Sequence, residues 1–397
     1  MNPALLIHYS RRIIGGYALR TFVHKWRAIP RKKMVFYALL FLCFITSIIF
    51  VQHNHFLYER SIAKVIKVKQ VESTDMVDMY NNHDKLTTQH IIAELKNGKE
   101  KGQSIHLTNE YSISGAFDQS YRVGNELFVS VDQDPDNKKP LTGDIKDVKR
   151  DQYVLFVAWV FIFILLIVGK KQGFFSIISL VINALLLSYA LDIYVQHPNI
   201  SLLWICGIAA ILFTAISLLL VNGFNEKTYA AILATLFATL LSLLITYLVL
   251  WLTNENGLRY EEMQFLTRPY QMIFMAGLFV GSLGAVMDVA ITMSASIFAL
   301  YETNNAISVK ALKASGLDIG KDIMGTMTNI LFFAYISGSI PMLILYLKNA
   351  SPLGFSVSMN LSLELARALA GGIGIVLAIP IGLYISIYFV QRKRRSL

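Results

Sequence analysis

The sequence has little of what disulfide-bonded domains and many enzymes need. Only two cysteines occur among its 397 residues. Cys43 and Cys206 each lie inside an apolar run, so no disulfide framework can hold an external domain together. The chain has no G-x-x-x-x-G-K-[ST] motif, which excludes nucleotide hydrolysis by a P-loop. No long apolar run contains a histidine, and none shows a Ser/His/Asp or Cys/His constellation. We therefore predict that the protein is not an enzyme and has no cofactor.

Hydrophobic residues are abundant and basic residues are concentrated at the two ends. The chain is 55% hydrophobic and 16% charged, with a mean hydropathy of +0.51, which is typical of a polytopic membrane protein. Its net charge of +10 would also suit nucleic acid, but the placement of the charge argues against this. The two basic clusters are Arg11, Arg12, Arg20, Lys25, Arg27, Arg31, Lys32 and Lys33, and Arg392, Lys393, Arg394 and Arg395. Basic residues at the ends of membrane spans indicate topology, so the expected partner is a lipid bilayer.

Eight apolar runs are each close to or above the ~20 residues that a spanning helix needs. The first run, 34–51, follows the basic segment 1–33 and precedes no cleavage site, so we predict an uncleaved signal anchor. Seven further runs lie within 153–390, before a basic tail at 391–397. They cover 153–169, 174–194, 200–221, 229–252, 271–300, 323–347 and 365–390. Lysines fall in alternate loops, which predicts a multi-pass protein of a bacterial plasma membrane with both termini in the cytosol.

The segment 52–152 differs from the rest because it is polar and rich in turn-forming residues. Residues 61–69 alternate apolar and polar side chains, and strand patterns in 91–105 flank a turn at 97–102. Residues 121–131 suggest another pair of strands with Gly124 and Asn125 in the turn. We predict a small external β-rich domain between helices 1 and 2, for which a short OB-like barrel is the favoured form.

One motif occurs twice near the C-terminal end of the chain. Asp288 and Thr292 form a D-x-x-x-T-M-[ST] sequence in the sixth run, and Asp322 and Thr326 form another at the start of the seventh. Residues four apart share one face of a helix. Ionisable groups inside a bilayer are costly and usually mark a function. Hard oxygen ligands of this kind suit a cation or a proton relay, although nearby methionines leave the identity of a metal open.

The predicted polar site includes further residues, and each has a structural alternative. The substrate- or ion-binding set is Asp288, Thr292, Asp322, Thr326, Thr328, Asn329 and Glu364. Asp288 is deep in its run, either within a discontinuous helix that binds an ion or in a structural buried pair. Asp322 is placed at the cytosolic end of its span, where it would favour the helix dipole or pair with Lys321. Glu364 is either a second gate or half of an intrahelical pair with Arg367.

Glycines and one loop predict contacts with other helices or proteins. The glycines that suit close packing or a helix break are Gly277, Gly281, Gly284, Gly325, Gly371 and Gly372. They make a homo-oligomer conceivable. The loop 301–320 contains an amphipathic segment, 306–315, that ends at Gly316 and would suit docking of a cytosolic protein. An intramembrane aspartyl protease is disfavoured because its Gly-x-Gly-Asp signature is absent.

Two long segments carry a resemblance to a known family. They are GSLGAVMDVAITMSAS and IGKDIMGTMTNILFFAYISGSIP. With these, the chain resembles the YibE/F-like family of bacterial multi-pass membrane proteins. The resemblance extends to the external segment, at AKVIKV and YRVGNELFVSV, and to the last run, at ELARALAGGIGIVLAIPIGL. It implies an integral membrane protein with an external β domain, and it implies little about chemistry.

Two functions remain open at this point. The first is a transporter of a small solute, a cation or a proton-coupled substrate, with a polar site between helices 6 and 7. The second is a non-transporting permease-like or scaffold subunit. Its external domain would bind an envelope partner, and its cytosolic loop 301–320 would dock another protein.

Overall fold

A computed structural model describes residues 31–115, 118–132, 140–197, 199–263 and 269–395. The protein is mostly helical, with a β-sheet domain near the N-terminus. It divides into two compact units, one that ends at Phe161 and one that begins at Ile162. Six of the described helices are long and apolar enough to cross a membrane. The predicted basic segment 1–33 lies almost entirely outside the described residues.

The first unit joins a helix to a five-stranded barrel. Its elements are α1 (Arg31–His53), a 3₁₀ turn (Asn54–Leu57), β1 (Ser61–Val77), β2 (His83–Leu95), β3 (Ser104–Ser112), β4 (Glu126–Val131), β5 (Leu141–Val148) and the start of α2 (Asp151–Gln196). The strands form a closed barrel in the order β1-β2-β3-β5-β4. All described pairings are antiparallel except the short parallel pairing of β3 with β5.

Alternating side chains fill the barrel. In β2 every second residue from Thr87 to Leu95 is buried, as the period of a strand requires. The apolar core is formed by Ala63, Val65, Ile91, Ala93, Leu95, Ile105, Leu107, Tyr121, Leu127 and Val129. Gly143 is required where β5 approaches β4, because a Cβ there would overlap the carbonyl oxygen of Ser130.

The strand predictions were right in kind and partly wrong in extent. The turn between 91 and 105 is present, and β1 and β2 extend well beyond the predicted segments, to Val77 and from His83. Residues 121–131 hold one strand, β4, and not the two that were predicted. Gly124 has a φ of 96° in the turn before β4, and residues 121–125 form no strand.

The second unit is helical. After α2 it contains α3 (Leu202–Asn222), α4 (Glu226–Leu252), a 3₁₀ turn (Tyr260–Glu262), α5 (Tyr270–Thr303), α6 (Val309–Ser337), α7 (Ile340–Lys348) and α8 (Leu353–Arg395). The predicted runs 200–221, 229–252 and 271–300 correspond to α3, α4 and α5. The run 323–347 is divided between α6 and α7, which are bent by 51° at their junction. The run 365–390 lies within α8, which begins well before it.

The long helix α2 covers two predicted runs and is sharply broken between them. Lys170 has non-helical angles, φ 48° and ψ −118°. Gly173 lies so close to the carbonyl oxygen of Leu165 that a Cβ there would overlap it. Residues eight apart in a straight helix are separated by about 12 Å, so the chain must turn sharply at Lys170. The break separates the predicted runs 153–169 and 174–194.

Three predictions about the region of α5 and α6 were wrong. The loop is short, because α5 ends at Thr303 and α6 begins at Val309, where the Ser308 hydroxyl accepts a 3.1 Å hydrogen bond from the Ala311 amide. The segment 306–315 is therefore not a separate helix. Asp322 lies in the fourth turn of α6 and not in its first. Helix α5 is continuous through Asp288, so the predicted discontinuous helix is absent.

Helix α8 is the central element of the second unit. It packs against α4, α5 and α6, and small residues on α8 allow these neighbours to approach. Gly374 lies against Val286 of α5 and Ser242 of α4. The Ser242 hydroxyl also donates a 2.6 Å hydrogen bond to the carbonyl oxygen of Ala370 on α8. Because of this packing, α5 and α6 both lie against α8.

Candidate functional site

Asp288 lies on the outer face of α5. Val286, Ala290 and Met293 on the same helix are buried, and they pack toward α8. The exposed stripe on the other side follows the period of a helix and consists of Gly277, Gly281, Gly284, Asp288 and Thr292. Asp288 is therefore exposed within this chain and does not form the buried structural pair that the sequence left open.

The register of α5 and α6 follows from two contacts. A Cβ on Gly316 of α6 would overlap Ile297 of α5, and a Cβ on Gly281 of α5 would overlap the hydroxyl of Tyr335 of α6. The helices are thus antiparallel. In an antiparallel pair, each step forward along α5 corresponds to one step back along α6. Counting in this way from each of the two contacts places Asp288 level with the segment from Gly325 to Thr328 on α6.

The same counting applied to Thr292 reaches the segment from Lys321 to Met324, which contains Asp322. Asp288 is therefore level with Thr326, and Asp322 is level with Thr292. The two copies of the motif thus place each carboxylate at the height of a hydroxyl on the other helix. All four of these residues are exposed.

Both hydroxyls donate to their own helix. Thr292 Oγ1 donates to the carbonyl oxygen of Asp288 at 2.7 Å, and Thr326 Oγ1 donates to that of Ile323 at 2.9 Å. Such bonds are usual for threonine in membrane helices. They fix the hydroxyl proton toward the backbone and leave the oxygen lone pairs free to accept from or coordinate a ligand.

Neither carboxylate has an ion-pair partner among the described residues. Lys321 binds Asp318 at 3.1 Å, not Asp322 as the sequence suggested. In the described part of the chain, no group of three or more His, Cys, Asp or Glu side chains is arranged to hold a metal ion. The available donors are therefore two separate carboxylates with neutral oxygens, which suits a proton or a weakly held hard cation better than a tightly bound transition metal.

Comparison with known families can now be added to this geometry. Residues 157–392 match the family model described as YibE/F-like protein, and this match covers more than half of the chain. The chain belongs to the YibE/F-like family. Residues 56–148 match the model of the YibE/F family N-terminal domain, so both the barrel and the helical part are covered. No curated protein and no solved structure matches the chain.

The remaining predicted site residues of this YibE/F-like protein lie apart from one another. Thr328 faces α8, with its methyl group near Gly372. Its hydroxyl oxygen is buried and has no hydrogen-bond partner. Asn329 is exposed on the same side of α6 as Asp322. Glu364 binds Arg367 one turn further along α8, as the structural alternative expected.

The Arg367 guanidinium also lies 5.3 Å from the ring centroid of Phe274. Phe274 is near the start of α5, and Asp288 is well beyond it along that helix. The structure therefore does not bring Glu364 to the two aspartates.

The predicted glycines divide into two groups. Gly281, Gly371 and Gly372 face neighbouring helices, at Tyr335, Leu331 and Thr328 respectively. A Cβ on Gly277, Gly284 or Gly325 would meet no atom within 4 Å, so these three are not needed for packing inside the described chain.

Tyr335 is a residue that the sequence analysis missed. Its hydroxyl lies over Gly281 on the exposed stripe of α5 and is buried without a hydrogen-bond partner. A tyrosine within an apolar run has no distinguishing pattern, so only the three-dimensional register could have identified it.

Proposed function

We propose that the protein is a membrane transporter of a small solute, a cation or a proton-coupled substrate, with Asp288 and Asp322 as the ion-binding groups. The matched heights of Asp288 with Thr326 and of Asp322 with Thr292 carry the proposal. A carboxylate and a hydroxyl at one height supply oxygen ligands at two successive levels along the helix pair, and two levels suit passage better than one closed site. Asn329 extends the same polar face of α6.

The proposed topology places the protein in a bacterial plasma membrane, with eight crossings and both termini in the cytosol. The sharp turn at Lys170 supports two crossings by α2, and the bent pair α6–α7 supports one more. The barrel would then be external. Its strand order and the parallel pairing of β3 with β5 support an OB-like barrel. In the scaffold alternative, the docking segment 301–320 would consist of the end of α5 and the start of α6, because most of it is helix.

The test is ion flux in liposomes that contain the purified full-length protein. Uptake of Na⁺, K⁺, Mg²⁺ and Mn²⁺ and of protons should be followed with fluorescent reporters. We expect Asp288→Asn and Asp322→Asn each to lower flux at least about tenfold, since each removes a charge that stabilises the ion.

Asp318→Asn is the matched control. Asp318 is an exposed acid on the same helix that already pairs with Lys321, so its loss should leave flux unchanged. Equal flux in wild type and both site variants would refute the proposed roles, and absence of any flux by the wild type would refute transport of these ions.

A further inference from the structure

The first unit has a cavity of about 640 Å³ where α1 meets the barrel. We call it the junction cavity. Its walls come from the end of α1, the 3₁₀ turn, the turn between β2 and β3, and strands β1 and β4. Its lining includes His53, Tyr58, Glu59, Lys64, Lys101 and Glu126. Charged groups of both signs therefore surround one space.

Two of the charged side chains that line the junction cavity, Lys96 and Glu126, are already paired. Glu126 contacts Lys149 at 3.2 Å and His55 at 3.1 Å, and Lys96 contacts Glu94 at 2.7 Å. Among the described ion pairs, none involves Glu59, Lys64 or Lys101, and these three side chains are exposed. The cavity thus offers two free ammonium groups and one free carboxylate.

Hydrogen bonds from one side chain order the backbone along part of the cavity wall. The Asn97 amide nitrogen donates to the carbonyl oxygens of His55, Tyr58 and Arg60 at 2.9–3.1 Å. Its Oδ1 accepts from the Ile62 amide at 2.6 Å. One side chain therefore holds the whole turn between α1 and β1, so the backbone of this part of the wall is ordered before a ligand binds.

The position of the cavity indicates the source of its ligand. It opens at the C-terminal end of α1, directly after the apolar run 34–51. Beside it, Phe56 and Leu57 are 74% and 58% exposed. Exposed apolar side chains at the end of a membrane helix suit the boundary between headgroups and acyl chains. This argument rests on α1 lying in the bilayer and does not depend on ion transport.

We propose that the junction cavity binds the headgroup of a zwitterionic phospholipid that carries a primary ammonium group. Lys64 and Lys101 bind the phosphate, and Glu59 accepts hydrogen bonds from the ammonium group. Phe56 and Leu57 contact the glycerol and acyl region. A quaternary ammonium headgroup fits less well, because it has no N–H to donate to Glu59.

The test is lipid binding to the full-length protein in detergent, measured by native mass spectrometry. The probes are phosphatidylethanolamine, phosphatidylcholine and phosphatidylglycerol with identical acyl chains. We expect phosphatidylethanolamine to bind most tightly. The double variant Lys64→Gln/Lys101→Gln should weaken it about ten- to thirty-fold. The matched control is Lys67→Gln/Lys69→Gln, which removes equal charge from β1 outside the junction cavity and should leave binding unchanged.

The variant Glu59→Gln separates recognition of the ammonium group from nonspecific electrostatic attraction of the lipid phosphate. It should reduce the preference for phosphatidylethanolamine over phosphatidylcholine about tenfold and leave phosphatidylglycerol binding nearly unchanged. Equal losses in the two double variants would overturn the proposal in favour of nonspecific charge. If millimolar free phosphoethanolamine displaces the lipid at constant ionic strength, the ligand is the free headgroup compound and the proposal of a lipid ligand is wrong.

Discussion

The charge cluster around Lys149 in the first unit and the two aspartates of α5 and α6 in the second unit differ in burial and in their partners. In the first unit Lys149 is only 1% exposed and is fully engaged. Its ammonium group donates to the carbonyl oxygen of Val51 at 2.9 Å and contacts Glu126 at 3.2 Å and Asp151 at 3.0 Å. In the second unit Asp288 and Asp322 are exposed and have no charged partner among the described residues. The difference teaches that buried charge with partners organises structure, whereas unpartnered charge on an apolar helix requires a functional explanation.

The strongest test of this comparison is Lys149→Met. The substitution leaves Glu126 and Asp151 without their buried counter-charge, so we expect a loss of about 3–5 kcal/mol in the stability of the first unit. This loss of stability is measured by chemical unfolding of the full-length protein in detergent, with the circular dichroism signal of the β-barrel as the readout. The control is Lys146→Met, which removes an exposed surface pair with Asp144 and should cost at most about 1 kcal/mol. If both variants lose the same stability, the buried network does not hold the unit together.

A smaller effect is expected from the glycines of the second unit. Gly374→Ala adds a Cβ 2.8 Å from Val286 Cγ2, so we expect a destabilisation of about 1–3 kcal/mol. Gly277→Ala places its Cβ in open space and should stabilise α5 by up to about 1 kcal/mol. Thermal unfolding in detergent compares the two variants. Destabilisation by Gly277→Ala would instead show that another molecule covers the outer stripe of α5.

Asp288→Asn should have a still smaller effect on stability. Because no charged partner is lost, we expect its unfolding free energy to stay within about 0.5 kcal/mol of wild type, even where ion flux is lost. The same unfolding measurement in detergent checks this. A loss as large as that of Lys149→Met would mean that Asp288 is structural after all, and the contrast between the two units would fail.

The smallest effect concerns pH and an exposed acid of the barrel. The Ser114 hydroxyl donates to the Asp84 carboxylate, and this bond, followed by amide donors, lowers the pKa of Asp84 from its ordinary 3.8. A lowered pKa in the folded state contributes stability above pH 3.8 that is lost as the pH falls through the folded value. Ser114→Ala should therefore reduce stability slightly at pH 5–7, and the difference from wild type should shrink below about pH 3. A constant difference across this range would contradict the assignment.

Much of the architecture could be predicted because it depends on local pattern. Apolar runs identified α3, α4 and α5, and alternation in 61–69 with strand patterns in 91–105 identified a β domain. The start of α6 could not be predicted this way. Its first turns are amphipathic, and they are held in the helix because Gly316 and Gly320 pack against Leu383 and Ile379 of α8. That contact joins residues far apart in sequence, so no local pattern shows it.

The candidate site was predictable in composition and not in arrangement. The repeated D-x-x-x-T-M motif identified Asp288, Thr292, Asp322 and Thr326. It did not show that each acid is level with a threonine of the other helix, because the register of two helices depends on packing at Gly281 and Gly316. The Lys149 network was missed for a similar reason, since Val51 and Glu126 approach Lys149 only once the barrel closes.

Helix α8 has a mechanical consequence for its neighbours. Leu331 of α6 and Ser282 of α5 both lie over Gly371, and Leu383 of α8 and Ile297 of α5 both lie over Gly316 of α6. At such three-way contacts, one helix cannot shift without disturbing two interfaces, because close-packed interiors transmit displacement and do not absorb it. A force applied to either acidic helix is therefore shared with the other through α8, and α4 is drawn into the same motion by its contact at Gly374.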